Sequence, residues 1–83
     1  MFDSIKEECG VFGICRNIDS DVAQMTYHAL FALQHRGQES CGIAVNKDGV
    51  MRLHSDLGLV PEVFDARTLA GLGTGEMAVG HTR

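Results

Sequence analysis

Cys9 is the residue of this sequence whose neighbours point most clearly to a chemical role. It lies in the stretch KEECGVFGIC, directly after Glu7 and Glu8. Nearby carboxylates disfavour a thiolate, so we expect the Cys9 thiol to be a poor nucleophile in the intact chain. Cleavage between Glu8 and Cys9 would remove both carboxylates and create an α-amine, whose pKa of about 7.7 to 8.0 suits a base near neutral pH. One residue would then carry nucleophile and base together.

The alternative for Cys9 is a purely structural role, because cysteines at the start of a strand are mostly small buried residues. Two glycines follow it closely, Gly10 and Gly13. Residues without a Cβ let a substrate or a neighbouring backbone approach the strand. The residue types by themselves leave both interpretations open.

The remaining cysteines and histidines are weaker candidates for chemistry. The three cysteines have no CxxC spacing, which gives little support to a disulfide framework or a tetrahedral zinc site. We expect Cys15 and Cys41 to be buried small residues that face a core. His54 is expected to be solvated on a hairpin, and His81 to have a structural role. The run GLGTG follows a predicted helix and precedes a predicted strand, the reverse of the order in a phosphate-binding loop.

A layer of helices against a sheet must position these side chains. The hydrophobic periodicity predicts, in order, a strand in CGVFGIC, a helix from Asp21 to His35 that stops at Gly37, and a hairpin in CGIAVNKDGVMRLHS. One or two short helices follow in VPEVFDARTLAGL, and a last strand in EMAVGHTR. This order predicts an α+β fold with helices lying against the sheet.

The strand patterns also predict that the sheet is covered on both sides. In the first strand Val11 and Cys15 point one way while Phe12 and Ile14 point the other, so both faces are apolar. In the hairpin, which the turn sequence NKDG joins, the small side of the strand at Gly42 suggests that a helix packs closely there.

Composition and charge exclude several classes of protein. The chain has 83 residues, and 7 basic against 11 acidic residues give a net charge of −4. Without a basic block we expect no nucleic-acid partner. The start MFDSIKEE lacks the features of a secretory signal, and no apolar run approaches the roughly 18 residues of a membrane span. We therefore expect a cytoplasmic protein of one domain with no membrane partner. Because the sequence ends directly after a strand, we expect it to be the amino-terminal piece of something longer.

Four motifs together resemble one enzyme family. CGVFGI, ALQHRGQES, GIA and GHTR occur in this order, at spacings similar to those of the amidophosphoribosyltransferases (glutamine phosphoribosylpyrophosphate amidotransferases) of purine synthesis. The resemblance extends from Glu8 to Arg83. QHRGQES separates this family from the glucosamine-6-phosphate synthases, where the matching stretch is closer to EYRGYDS. The resemblance implies part of an amino-terminal-nucleophile (Ntn) αββα sandwich, truncated at residue 83, with residues 1–8 as a propeptide and 9–83 as the beginning of a class II glutamine amidotransferase domain.

The resemblance also implies roles for individual residues. Cys9 matches the nucleophile that attacks the side-chain amide of glutamine and forms a glutamyl thioester. Arg83, in GHTR, matches the arginine that binds the α-carboxylate of glutamine, a task for which a planar guanidinium is suited. Arg36 matches a residue that shapes the site, and Gly37 one that brings backbone close to the nucleophile. For His35, a place in the helix cap and loop remains an alternative.

Other parts of such an enzyme are expected downstream of residue 83. They include the oxyanion-hole Asn-Gly pair, the aspartate for the α-amine of glutamine, the phosphoribosyltransferase domain with its magnesium site, and any iron-sulfur ligands. We therefore expect no cofactor in this segment and no activity from it alone. The whole protein is expected to be a homo-oligomer that makes 5-phosphoribosylamine from glutamine and phosphoribosylpyrophosphate (PRPP). The alternatives are an Ntn amidotransferase with another acceptor, such as a glucosamine-6-phosphate or glutamate synthase, and a non-enzymatic segment that self-associates through strand edges.

Overall fold

The computed structural model describes residues 10–34 and 38–83, and in these residues four strands and three helices form one antiparallel α+β unit. The elements are β1 (Gly10–Ser20), α1 (Val22–Leu33), β2 (Ser40–Lys47), β3 (Val50–Leu57), α2 (Val60–Val63), α3 (Ala66–Leu72) and β4 (Gly75–Thr82). The predicted order of elements is confirmed. The predicted extension of the first helix to His35 is wrong, because α1 ends at Leu33 and the backbone of Gln34 is already extended. His35 and Gly37, the predicted stop, lie outside the described residues.

The strand order in the sheet is β1-β4-β2-β3, with every pair antiparallel. The last strand in the chain is therefore inserted between the first two. Gly10 of β1 and Cys41 of β2 both pair with Thr82 at the end of β4. This arrangement brings three distant parts of the sequence together at one end of the sheet.

Helix α1 packs on the sheet through a narrow stripe of small and branched residues. Asp21 caps its first turn by accepting a hydrogen bond from Gln24 N at 3.4 Å. Val22, Thr26 and Leu30, spaced four residues apart, are fully buried. A Cβ on Gly80 of β4 would lie 2.6 Å from Thr26 Cγ2. The close approach of α1 therefore occurs over Gly80, where a Cβ would force Thr26 and Leu30 to shift.

The hairpin turn has the backbone conformation that its sequence predicts. Asp48 and Gly49 connect β2 to β3 with φ of 53° and 84°. Two central residues with positive φ are the requirement of a type I′ turn, which suits the twist of paired strands. Gly49 N donates to Asn46 Oδ1 at 3.2 Å and closes the loop.

The expectation that both faces of the sheet are covered is wrong for the described part of the chain. The helices lie on the face that carries Phe12, Ile43 and Ala78, and this face holds the core. The other face, called the open face here, carries exposed apolar side chains. The exposed apolar side chains lie in adjacent rows across the strands and are Val11, Val79, Leu53, Met77 and Met51.

Three interpretations of single residues are corrected by this layering. Cys15 is exposed, not buried, because its side of β1 belongs to the open face. Gly42 is not approached by a helix; a Cβ there would lie 2.8 Å from His81 Nε2 and from Ser55 Cβ, so side chains of the neighbouring strands fill the space. His54 is half-buried instead of solvated, since its ring meets that of Phe64 edge to face at 5.5 Å.

Candidate functional site

The candidate site lies at the end of the sheet where β1 begins and β4 ends. Gly10, the residue bonded to Cys9, pairs with Thr82, the residue bonded to Arg83. A Cβ on Gly10 would lie 3.0 Å from Thr82 Oγ1 and 3.1 Å from Leu33 Cβ. Gly10 is therefore tightly enclosed between β4 and α1, and a larger residue would push the beginning of β1 away from this end of the sheet.

The backbone of Arg83 is held on β2. Its carbonyl accepts hydrogen bonds from Glu39 N at 2.5 Å and Ser40 N at 3.0 Å, and its N–H donates to Ser40 O at 2.9 Å. The side chain of Arg83 is exposed. The structure thus fixes the position from which the guanidinium extends while leaving the guanidinium accessible to a ligand.

Gln38 is a buried polar residue that the sequence analysis did not single out. It is 8% exposed, and its Nε2 donates to Gly58 O at 2.6 Å and to Ser40 O at 3.2 Å. The two carbonyl acceptors identify this amide atom as nitrogen. Its Oε1 has no hydrogen-bond partner within residues 10–34 and 38–83. The signal available in the sequence was the pair of glutamines that brackets HRG in QHRGQ.

Thr82 is the second buried polar residue at this end. Its side chain is 1% exposed, and Oγ1 has no hydrogen-bond partner in the described part of the chain. Buried hydroxyls are normally paired. Two buried oxygens without a described partner, on Thr82 and Gln38, therefore belong to residues that are bonded to predicted site residues. Thr82 precedes Arg83, and Gln38 follows Gly37.

Cys41 is buried next to these groups, and the prediction that it is a space-filling residue agrees with its surroundings. The Cys41 thiol donates to Gly58 O at 3.7 Å. Burial raises the pKa of this thiol, with a smaller opposite effect from the amide of Gln38 and a further rise from the charge of Asp56. A thiol with a raised pKa is a poor nucleophile at neutral pH.

His81 stands on the open face two residues before Arg83. With Ser40, Ser55 and Asp56 it borders a shallow pocket of about 240 Å³, which Cys41 and Leu57 complete. His81 also lies against Gly42. The prediction of a structural role near the site agrees with this contact.

Several of the predicted site residues cannot be placed in this arrangement. Cys9, His35, Arg36 and Gly37 lie outside the described residues, as does the predicted propeptide, residues 1–8. Residues 34 and 38, which flank the HRG motif, are described. Among the described residues, no group of three His, Cys, Asp or Glu side chains is arranged to hold a metal ion. None of the described helices has the length and apolar character to cross a membrane.

Comparison with known proteins gives a consistent result. No protein-family model matches the chain. The amidophosphoribosyltransferase of Mycobacterium tuberculosis is 52% identical over 81 residues, covering 98% of this chain and 15% of that protein. The amidophosphoribosyltransferase of Synechococcus elongatus is also 52% identical over 81 residues, covering 98% of this chain and 16% of the relative. The chain therefore spans about one sixth of the length of the relatives it matches.

The fold comparison points to the same group of enzymes. The solved structure of the allosteric regulatory enzyme of purine biosynthesis superposes with a TM-score of 0.78 at 40% identity, covering 88% of this chain and 15% of that one. The four-stranded sheet with its helices matches the Ntn glutaminase domain of that structure. The chain belongs to the amidophosphoribosyltransferase family, as a segment of its Ntn glutaminase domain.

Proposed function

We propose that this segment forms the beginning of the glutaminase site of a longer amidophosphoribosyltransferase, with Cys9 as nucleophile and Arg83 as the ligand of the glutamine α-carboxylate. The pairing of Gly10 with Thr82 is the observation that carries this proposal. Consecutive α-carbons are about 3.8 Å apart, so Cys9 and Arg83 each lie within one residue of that pair. Gly10 and Thr82, 72 positions apart in the sequence, lie at one end of the sheet, and they are the residues bonded to Cys9 and Arg83.

The chemistry begins with removal of residues 1–8, the proposed propeptide, which leaves Cys9 with a free α-amine. The amine takes the proton of the Cys9 thiol as the sulfur attacks the side-chain amide carbon of glutamine. Collapse of the tetrahedral intermediate breaks the C–N bond, the amine returns the proton to the leaving nitrogen, and ammonia departs. Water then hydrolyses the glutamyl thioester, giving glutamate and restoring the thiol.

The substrate is oriented by arginines in this proposal. The Arg83 guanidinium can hold both oxygens of the α-carboxylate, because its donors form a planar fork. The fixed backbone of Arg83 and its exposed side chain suit this role. Arg36 and Gly37 are proposed to complete the site around the nucleophile, as they do at the matching positions of the family.

The whole protein is proposed to be a cytoplasmic homo-oligomer. The ammonia would attack C1 of the ribose of PRPP, displace pyrophosphate and give 5-phosphoribosylamine. Magnesium, and an iron-sulfur cluster where one is present, would be bound by residues beyond this segment; magnesium would neutralise charge on the pyrophosphate. The segment by itself is proposed to be inactive, because it lacks the family's Asn-Gly oxyanion donors, and such donors contribute much of the rate of acyl transfer.

The test uses the full-length protein that contains this segment. Intact mass after purification under reducing conditions shows whether residues 1–8 are removed.

Glutamine-dependent formation of phosphoribosylamine is then compared with formation from added ammonia, for the wild type and for Cys9→Ser. We expect Cys9→Ser to abolish the glutamine-dependent rate and to leave the ammonia-dependent rate within about twofold, because added ammonia bypasses the nucleophile. The matched control is Cys15→Ser, a change on β1 away from the Gly10–Thr82 pair, which should preserve both rates. A Cys9→Ser enzyme that still uses glutamine would refute the proposal.

A further inference from the structure

The two glutamines that flank HRG both bind one short connection between β3 and α2. Gln34, directly after α1, accepts a hydrogen bond at Oε1 from Val60 N at 2.9 Å. Gln38, just before β2, donates from Nε2 to Gly58 O at 2.6 Å. Both flanks of residues 35–37 are therefore tied to residues 58–60, which lie 20 and 26 positions further along the chain from Gln38 and Gln34.

The connection at residues 58–60 is itself firmly held. Gly58 has φ of 129°, a conformation that favours glycine, and a Cβ there would lie 3.3 Å from Glu62 Oε1. Gly58 N donates to Glu39 O at 2.8 Å, and Glu62 Oε1 accepts from Leu59 N at 3.0 Å. The two glutamines are thus anchored to a backbone with little freedom to move.

Gln38 also binds the carbonyl of β2 to which the backbone of Arg83 donates. Its Nε2 donates to Ser40 O at 3.2 Å, and the same carbonyl accepts from Arg83 N at 2.9 Å. The amide of Gln38 and the backbone N–H of Arg83 therefore share one acceptor, the carbonyl oxygen of Ser40. Because Gln38 is buried, these bonds are shielded from water, and their loss would leave Gly58 O with only the weak thiol donor of Cys41, at 3.7 Å.

We propose that Gln34 and Gln38 are positioning residues of the glutaminase site, which hold the flanks of residues 35–37 and the backbone of Arg83 in the geometry that binds glutamine. This inference rests on the proposed function. Neither glutamine needs to touch the substrate. Each acts through backbone groups: Gln34 through Val60, and Gln38 through Gly58 and Ser40. A displacement of about 1 Å in a substrate-binding group is enough to reduce catalysis by a large factor.

The first test compares three methionine substitutions in the full-length protein. Gln38→Met and Gln34→Met keep the length of the side chain but remove its hydrogen bonds. Gln24→Met is the matched control, since Gln24 is exposed on α1. We expect Gln38→Met to raise the KM for glutamine about tenfold, Gln34→Met to raise it less, and Gln24→Met to leave it unchanged. The rate with added ammonia should stay within about twofold of wild type in all three.

The second test separates positioning from a general effect on folding. In Gln38→Glu the buried carboxyl faces two carbonyl oxygens, so burial and these oxygens raise its pKa. Its protonated form can donate to Gly58 O and its ionised form cannot. The KM for glutamine of this variant should therefore fall towards the wild-type value between about pH 8 and about pH 6, after correction for the pH profile of the wild type.

The outcomes are distinct. The inference is overturned by an unchanged glutamine KM in both Gln38→Met and Gln38→Glu, or by equal losses of the glutamine-dependent and ammonia-dependent rates in them. If Gln38→Met does not fold, the pH profile of Gln38→Glu decides. A wild-type protein that shows no glutamine-dependent turnover would instead refute the proposed function itself, and the inference with it.

Discussion

At the scale of single residues, the two described cysteines differ in environment although their strand positions resembled each other in the sequence. Cys41 is fully buried under the helices, whereas Cys15 is exposed on the open face. Both were expected to be buried because each is a small apolar residue in an apolar strand. Alternation along a strand tells which residues share a face, but it does not tell which face is covered.

This difference predicts different thiol reactivities. In a Cys9→Ser chain, which leaves two thiols, Cys15 should react with a disulfide reagent such as DTNB at about pH 8, because its side chain is exposed. Cys41 should react only after a denaturant is added, because burial removes access and raises its pKa. The measurement is the number of thiols titrated in each state, with Cys15→Ser in the same background as control. Rapid titration of two thiols in the native chain would contradict this assignment.

At the scale of elements, the contact between α1 and β4 depends on Gly80. A Cβ at this position would lie 2.6 Å from Thr26 Cγ2 and 2.9 Å from Leu30 Cδ1. Gly80→Ala should therefore lower the free energy of unfolding by about 1–3 kcal/mol, the usual cost of overpacking a core. The control is Gly71→Ala in α3, where a Cβ meets no atom within 4 Å; it should raise stability by about 0.5–1 kcal/mol. Urea unfolding of both variants tests the contrast, and an equal effect of the two substitutions would show that α1 does not approach Gly80.

Helix α3 depends on a charged cap. Asp65 Oδ1 accepts a hydrogen bond from Thr68 N at 2.8 Å, and this bond, with a smaller effect from Arg67, lowers the pKa of the Asp65 carboxyl. A carboxyl whose pKa is lower in the folded state contributes stability above its unfolded pKa, near 3.9, and loses that contribution as the pH falls through the folded value. Asp65→Ala should therefore be less stable than wild type at neutral pH, and the gap should narrow below about pH 4. Unfolding curves at several pH values test this, with Glu39→Ala, which removes an exposed carboxylate outside the helices and strands, as control; a gap that is constant with pH would exclude the ionised cap.

The elements that could be predicted from the sequence are those that local chemistry determines. The hairpin was predictable because Asp48 and Gly49 tolerate positive φ. Helix α1 was predictable because Asp21 caps it and its apolar residues recur at helical spacing. The insertion of β4 between β1 and β2 was not predictable, since strand order depends on contacts between distant residues. The pairing of Gly10 with Thr82 follows from that order, and so do the partners of Gln34 and Gln38.

At the scale of the whole molecule, the open face is the main apolar surface that no element of the described residues covers. Leu53 is 69% and Val11 73% exposed, with Val79 between their strands. Exposed apolar patches on a sheet indicate a surface that is covered in the functional state. In an αββα sandwich the second sheet covers such a face, so we expect residues beyond this segment to pack here in the full-length protein.

The same face predicts opposite effects of one substitution in two settings. In the isolated 83-residue chain, Val79→Lys should reduce self-association, measured by sedimentation at increasing concentration, because it places a charge in the centre of the exposed apolar rows. It should not lower the stability of the monomer, since Val79 is half exposed there. In the full-length protein the same lysine would be buried without a partner and should lower the unfolding temperature.

Phe31→Lys, on the outer surface of α1 where the side chain is 52% exposed, is the control for an exposed apolar residue outside the open face. If Val79→Lys and Phe31→Lys change the self-association of the isolated chain equally, the open face is not the surface through which copies associate.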